Sequence, residues 1–280
     1  MIDYLEKAPK AYHNKDFLNS PFARPIRLLT EYIEPYARLK EKNVKDTVVF
    51  FGSARIMEKS KATKNLQSLK KIYENTDGKN KRILKTVYNQ IQSAEKDFIM
   101  SKYYDDTTEL AYLITKWSKS LGKGNKFVIC SGGGPGIMEA ANKGAQKAKG
   151  LSIGFNISLP FEQFPNKFIT PDLNFEFHYF FMRKFWFAYL AKALVVMPGG
   201  FGTLDELMEI MTLVQTNKLK KKMSIIIYGK EFWQKVINFD ALAEYNLIAK
   251  EDLSLFKFAD TPKEAFNILK KELIESYVKK

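Results

Sequence analysis

The residues best suited to chemistry stand around a glycine-rich turn near position 200. Residues 193–197 form a short apolar run with β-branched side chains, typical of a buried parallel strand, and the apolar spacing of residues 204–215 predicts a helix. Glycine has no Cβ, so the backbone N–H groups of a loop between them can contact an anion closely. The loop, residues 199–203, contains three glycines and a threonine: Gly199, Gly200, Gly202 and Thr203. We expect them to bind a phosphate, with the threonine either capping the helix or donating its hydroxyl.

Two acids, Asp205 and Glu206, follow in the first turn of the predicted helix. Acids at a helix start favour the helix dipole, which is the structural interpretation. An acid beside an anion-binding loop is a poor choice if that loop only holds phosphate. The functional interpretation is therefore that Glu206 faces another part of the ligand.

A pair of bases, Arg183 and Lys184, interrupts the largely apolar and aromatic run of residues 178–186. Burying an unpaired charge is unfavourable, so two adjacent bases there need a reason. A bound phosphate or carboxylate would provide one. We therefore count both residues among the candidate ligand contacts.

Two further glycine-containing turns follow predicted strands. Residues 47–51 lead into Gly-Ser-Ala-Arg at 52–55, and residues 127–130 lead into SGGGPGIMEAA at 131–141. The carboxyl ends of strands in an open α/β sheet are where a nucleotide binds, so Ser53, Gly132 and Gly133 become candidate ligand residues. The second turn does not read GxGxxG, which argues against a dinucleotide.

These motifs together resemble one family. Residues 198–206, PGGFGTLDE, fit the PGGxGTxxE pattern of the Lonely Guy (LOG) family, whose members were long labelled lysine decarboxylases. The GSAR and GGGPGxMEAA blocks fit as well, and Arg183-Lys184 resembles a family motif in which the arginine is catalytic. Phe180-Phe181-Met182 stands where the small plant-type branch has Met-His, so that branch's histidine is missing. The resemblance is therefore to the longer, bacterial branch and does not imply cytokinin specificity.

The resemblance implies a Rossmann-like fold, a homodimer or higher homo-oligomer, and hydrolysis of nucleoside 5′-monophosphates to free base and ribose 5-phosphate. Cleavage of the N-glycosidic bond needs a phosphate anchor, negative charge near the anomeric carbon, and a water. The 199–203 loop could supply the anchor and Glu206 the charge, while Arg183 either holds the nucleotide or assists departure of the base. The alternative is a non-catalytic nucleotide-binding or carrier protein on the same fold.

No cofactor is predicted. Lysine decarboxylation would require a pyridoxal phosphate site with a Schiff-base lysine, and no feature of the sequence singles one out. Two histidines and one cysteine make no recognisable metal site.

Composition narrows the class of protein further. The 280 residues carry a formal net charge of +14, but the aromatic residues do not interleave with the bases in a pattern typical of RNA binding, so a lysine-rich surface and an anionic substrate account for the charge. No apolar run reaches the roughly 20 residues of a membrane helix, and the first ten residues lack the apolar core of a signal peptide. The single cysteine, Cys130, fits a reducing compartment, so we expect a cytoplasmic protein without a membrane partner.

The predicted organisation is a helical extension over residues 1–45 and a doubly wound α/β domain over residues 46–280, with a mostly parallel sheet and helices on both faces. Pro35 is expected near the end of the first helix. Arg24 and Arg27 could reach a phosphate or a neighbouring subunit, or be ordinary surface residues. Two apolar stripes around a turn at 75–78 predict a basic helical hairpin inserted at about 57–100. The remaining predicted elements are strands at 151–158, 174–177, 224–228 and 255–258 and a last helix at 262–277.

Overall fold

A seven-stranded sheet lies at the centre of the protein. The structure is a computed structural model that describes residues 7–76, 80–122, 124–160 and 164–279. The strands are β1 (Thr47–Phe51), β2 (Val128–Ser131), β3 (Ser152–Ile157), β4 (Asn174–Phe177), β5 (Ala191–Val196), β6 (Ser224–Tyr228) and β7 (Lys257–Ala259). The helices are α1 (Lys15–Asn19), α2 (Arg24–Glu41), α3 (Lys59–Glu74), α4 (Lys81–Met100), α5 (Lys102–Ser120), α6 (Ile137–Lys147), α7 (Phe180–Leu190), α8 (Phe201–Gln215), α9 (Lys230–Val236), α10 (Phe239–Glu244) and α11 (Pro262–Leu273).

The strand order is β4-β3-β2-β1-β5-β6-β7, and all six pairings are parallel. Successive strands run outward from β1 in one direction up to β4 and then in the other from β5 to β7. The chain order therefore reverses between β1 and β5. In an open α/β sheet the crevice outside the carboxyl ends of the strands at such a reversal receives the ligand.

Each face of the sheet carries its own hydrophobic core. Side chains of β1 alternate between them, with Val49 and Phe51 in one core and Val48 and Phe50 in the other. The first core includes buried residues of α7 and α8, and the second includes buried residues of α5, α6 and α11. The predicted doubly wound α/β fold with helices on both faces is confirmed.

Helix α8 begins earlier than the apolar spacing predicted. Its first residue is Phe201 and Gly200 is the N-cap, so the expected start at position 204 was wrong. Thr203 consequently lies inside the helix and does not cap it. Asp205 and Glu206 fall in the second turn instead of the first, where the influence of the helix dipole has largely faded. The dipole interpretation of the two acids loses most of its support.

Pro35 lies inside α2, six residues before its last residue, and not near its end as predicted. Proline has no N–H, so the carbonyl four residues earlier, that of Glu31, has no helical donor. An interior proline is tolerated when another group satisfies that carbonyl. The donor here comes from α7, as described below.

The inserted segment forms the helical pair α3 and α4. Their apolar faces pack against each other, and Ala62, Val87, Ile91 and Ala94 are buried. Residues 1–6 of the extension and positions 77 and 78 of the predicted turn lie outside the described residues. The last helix gives way after Leu273 to a short π-helical segment, Ile274–Val278.

Candidate functional site

The three glycine-containing turns meet at the carboxyl edge of β1, β2 and β5. The Ser53 N–H donates to the Pro198 carbonyl at 3.0 Å, and the Ser53 carbonyl accepts from the Ile137 N–H at 3.0 Å. A Cβ at Gly136 would lie 2.4 Å from the Ser53 carbonyl oxygen, so the GGGPG turn can approach Ser53 this closely only with glycine at position 136. Ser53 therefore lies between the other two turns.

The glycines of the 199–203 loop serve different purposes. A Cβ at Gly199 would lie 2.1 Å from Thr203 Oγ1, so this position has no room for a side chain. At Gly200 and Gly202 no atom lies within 4 Å of where the Cβ would be, so open space adjoins them. The N–H groups of Phe201 and Gly202 at the start of α8 have no helical partner, whereas those of Thr203 and Leu204 donate to the Gly200 carbonyl at 3.0 Å. The open space lets an anion reach the first two.

Arg183 reaches the GGGPG turn from α7. Its Nε–H donates to the Phe155 carbonyl at 2.8 Å, and a Cβ at Gly132 would lie 2.6 Å from its Nη2. At the next position, Gly133, φ is +76° and a Cβ would lie 2.1 Å from Asn156 Oδ1. The glycines at 132 and 133 therefore make room for Arg183 and Asn156.

The guanidinium of Arg183 lacks a countercharge in direct contact. Among the described residues, no carboxylate lies within 4 Å of it, and its Nη atoms have no hydrogen-bond partner. Burial lowers the pKa of Arg183 from its ordinary value, and the largest opposing influence is the negative charge of Glu206. A partly buried guanidinium whose Nη atoms lack a partner is suited to binding the anionic group of a ligand.

Glu206 is buried, with 7% of its surface exposed. Burial disfavours the charged form and raises the pKa of its carboxyl from 4.5 to about 7, while the charges of Arg183 and Lys184 act in the opposite direction. A carboxyl with a pKa near 7 can take up or release a proton at neutral pH. The charge of Arg183 thus lowers the pKa of Glu206, and the charge of Glu206 raises that of Arg183.

The ammonium of Lys184 pairs with two carboxylates, which are not the partners expected of a residue that binds phosphate. Its ammonium lies 2.8 Å from Asp205 and 2.9 Å from Glu209, both on α8. Burial lowers the pKa of Lys184, but the hydrogen bonds that its ammonium donates to these carboxylates outweigh burial, and the pKa is raised overall. The ion pairs join α7 to α8, and the predicted ligand contact of Lys184 stays a prediction.

A buried polar network behind the GGGPG turn escaped the sequence interpretation. The side-chain amide of Asn166 donates to the carbonyls of Gly133 (2.9 Å) and Gly134 (3.1 Å) and to Asn142 Oδ1 (2.9 Å). Ser131 Oγ also donates to Asn142 Oδ1, at 2.7 Å. Asn142 directly follows the recognised block, which was an available signal, whereas nothing in the sequence around Asn166 indicated its role.

Other predicted residues have structural partners. Glu139, the acid of the GGGPGxMEAA block, accepts a hydrogen bond from the Tyr104 hydroxyl at 2.6 Å, so its carboxylate attaches α6 to α5. Arg27 donates to the Ser20 carbonyl at 2.8 Å, and Arg24 lies over the Tyr179 ring, 5.7 Å from its centroid. Cys130 is fully buried, and burial raises the pKa of its thiol well above the usual range.

Two further properties concern the part of the chain that the structure describes. No group of three or more His, Cys, Asp or Glu side chains there could hold a metal ion. No helix in that part is both long and apolar enough to cross a membrane.

Comparison with known structures returns distant likenesses. A molybdenum cofactor carrier protein from Chlamydomonas reinhardtii is 17% identical, with 82% of this chain and 98% of that chain covered and a TM-score of 0.46. A molybdenum cofactor binding protein from the phototrophic bacterium Rippkaea orientalis is 23% identical, with 59% and 87% covered and a TM-score of 0.39. Likeness at this level says nothing about what the present chain binds. No curated protein sequence matches the chain.

A family model supports the resemblance seen in the motifs. The model described as possible lysine decarboxylase, a LOG-type domain, matches residues 138–269. The matched range contains Arg183, Glu206 and the whole 199–203 loop. Residues 138–269 therefore match the family described as possible lysine decarboxylase, which is of the LOG type and nucleotide-related.

Proposed function

We propose that the protein hydrolyses the N-glycosidic bond of AMP or a related nucleoside 5′-monophosphate, releasing the free base and ribose 5-phosphate. One observation carries this proposal. Glu206 is a buried carboxyl with a pKa of about 7, and the charge of Arg183 acts on it. Among the described residues, no carboxylate lies within 4 Å of the Arg183 guanidinium. Glu206 follows the open glycine loop on α8, where a phosphate can bind, and Arg183 lies against the neighbouring GGGPG turn.

The 5′-phosphate is anchored at the first turn of α8. Gly200 and Gly202 border open space, so phosphate oxygens can approach the N–H groups of this turn. The hydroxyls of Ser53, on the adjoining turn, and of Thr203, within α8, are further phosphate donors in this proposal. Gly132 brings the GGGPG turn close to Arg183, and Gly133 makes room for Asn156 beside it. Phosphate binding at this position sets the distance between the ribose and Glu206.

Glu206 acts on the ribose and the attacking water. In its ionised form the carboxylate stabilises positive charge that develops at the anomeric carbon, and it accepts a proton from the water. The water oxygen forms a bond to C1′ while the C1′–N bond breaks and its electron pair leaves with the base. The proton that Glu206 takes from water balances the proton that the departing base takes up. Arg183 holds the nucleotide or assists the departing base.

The proposal includes a homodimer or higher homo-oligomer in the cytoplasm. The outer face of α7 carries the exposed aromatic residues Phe181, Phe185 and Tyr189, which form an apolar surface suited to a second copy of the chain. The single buried cysteine fits a reducing compartment. Sedimentation of the purified protein tests the assembly, and a monomer at micromolar concentration contradicts it.

Incubation with a panel of nucleoside monophosphates, followed by analysis of the products, tests the activity. Appearance of free base and ribose 5-phosphate in equal amounts supports the hydrolase. Tight binding of AMP without either product favours the non-catalytic nucleotide-binding or carrier protein. Neither binding nor cleavage of any nucleotide in the panel would refute both.

A further inference from the structure

The side chain of Glu31 attaches α2 to the start of α7. Its carboxylate accepts hydrogen bonds from the backbone N–H of His178 at 2.8 Å and from that of Tyr179 at 3.3 Å. Tyr179 is the N-cap of α7, and its own side chain makes no capping bond. A carboxylate here meets otherwise unpaired N–H groups and the positive end of the helix dipole.

The backbone of Glu31 makes a second contact with the same helix. Because Pro35 has no N–H, the Glu31 carbonyl lacks its donor within α2. The indole N–H of the buried Trp186 donates to that carbonyl at 2.9 Å. Glu31 thus holds α7 at two levels, about two turns apart.

Arg183 lies between these two levels. Its backbone N–H donates to the Tyr179 carbonyl at 3.2 Å, so its position follows from where the first turn of α7 sits. Its side chain then extends to the Phe155 carbonyl and to the Gly132 backbone, where a Cβ would already be too close. This fit tolerates little movement of α7, because a displaced guanidinium loses both contacts.

We infer that Glu31 is a positioning residue, which holds the start of α7 so that Arg183 stays seated against the GGGPG turn. The effect on α7 and on Arg183 needs no assumption about the reaction. The effect on catalysis rests on the proposed function. The segment before the sheet thereby takes part in organising the site, although Glu31 has no contact with the glycine loops among those described.

The competing explanation is that Glu31 only stabilises the fold. Other contacts already attach α2 to this region, since Arg38 donates to the Asn174 carbonyl at 3.1 Å and Lys42 pairs with Asp172. Loss of one of several attachments would then lower stability and leave the site unchanged. The two explanations differ in what happens at Arg183.

Glu31→Gln is the test variant, because it keeps the size of the side chain and replaces one acceptor oxygen by an NH2 group. Glu41→Gln is the matched control, since Glu41 is exposed on the same helix and undergoes the same chemical change. Hydrogen exchange of residues 178–186 and the NMR signal of the Arg183 Nε–H report on position. Turnover and binding of AMP report on catalysis, and urea unfolding reports on stability.

In Glu31→Gln we expect exchange at the start of α7 to rise about tenfold, since a charge-assisted hydrogen bond is lost. The Arg183 Nε–H should lose its protection, and kcat/KM for AMP should fall about tenfold or more because reacting groups are displaced. In an Arg183→Lys background the same change should alter AMP binding and turnover far less than in the wild type. Glu41→Gln should change none of these measurements.

Unchanged exchange and an unchanged Arg183 signal in Glu31→Gln would overturn the inference. Faster exchange with kcat/KM and AMP binding both unchanged would overturn the link to catalysis. If the wild type neither binds nor cleaves AMP, the proposed hydrolase fails, while exchange and the Arg183 signal still decide whether Glu31 positions this residue. Should Glu31→Gln not fold, Glu31→Asp provides the second variant, with the same changes expected at smaller size.

Discussion

Replacing Glu206 by Gln should make the protein more stable and less active at the same pH. Burial raises the pKa of this carboxyl from 4.5 to about 7, so the folded protein binds its proton more tightly than the unfolded chain. The folded state is therefore penalised for ionising Glu206, with no penalty below pH 4.5, an increasing one up to pH 7, and the full penalty above it. A shift of this size corresponds to at most about 3 kcal/mol.

Glu206→Gln keeps the shape and removes the ionisation. At pH 8 the variant should unfold at a higher urea concentration than the wild type, by up to about 3 kcal/mol in free energy. At pH 4 the two proteins should be nearly equal, because the wild-type carboxyl is then protonated. Turnover of AMP should fall by about a hundredfold or more, because the charge opposite the ribose is gone. AMP should still bind, and more tightly if the carboxylate repels the phosphate.

Urea unfolding at both pH values, with turnover measured in parallel, checks these expectations. Asp205→Asn is the control, because Asp205 is adjacent but 58% exposed and its partner Lys184 keeps Glu209. Its effect on stability should stay within about 1 kcal/mol at either pH. A Glu206→Gln variant that retained most of its turnover would reduce Glu206 to a buried structural acid. Equal stabilities at pH 8 would refute the electrostatic argument.

Four further comparisons test the phosphate anchor and the inserted hairpin. AMP should be cleaved far faster than adenosine in parallel product assays, and equal rates would remove the phosphate anchor. Gly200→Ala should leave urea stability within about 1 kcal/mol, because its Cβ meets no atom within 4 Å, but should weaken AMP binding measured by calorimetry, whereas Gly199→Ala should lower both because its Cβ would lie 2.1 Å from Thr203. Normal AMP binding by both variants would contradict the proposed position of the phosphate. Deleting residues 60–96 with a short glycine linker should lower stability or change the sedimentation of the assembly, because the surface of α5 that packs against α3 and α4 loses its cover. Unchanged stability, assembly and activity would show the hairpin to be dispensable.

Local sequence patterns were sufficient to predict most of the sheet. The strands β1, β4 and β6 begin and end where their apolar or alternating runs do, because burial on one or both faces selects such residues directly. The start of α8 was predicted three residues late, since Phe201 and Gly202 lie outside the apolar periodicity of that helix. Glycine-rich turns after strands likewise indicated an anion-binding edge, because the lack of a Cβ is a property of the residue itself.

The electrostatic state of the site depends on residues far apart in the chain. The sequence identified Arg183 and Glu206 as candidates, but not that one would lack a nearby carboxylate among the described residues and the other would be buried enough to have a pKa of about 7. Desolvation depends on which atoms surround a group, and helical spacing alone does not specify them. Pro35 shows the same limit. Its missing N–H could be read from the sequence, whereas the donor that compensates for it, Trp186, is supplied only when α7 packs against α2.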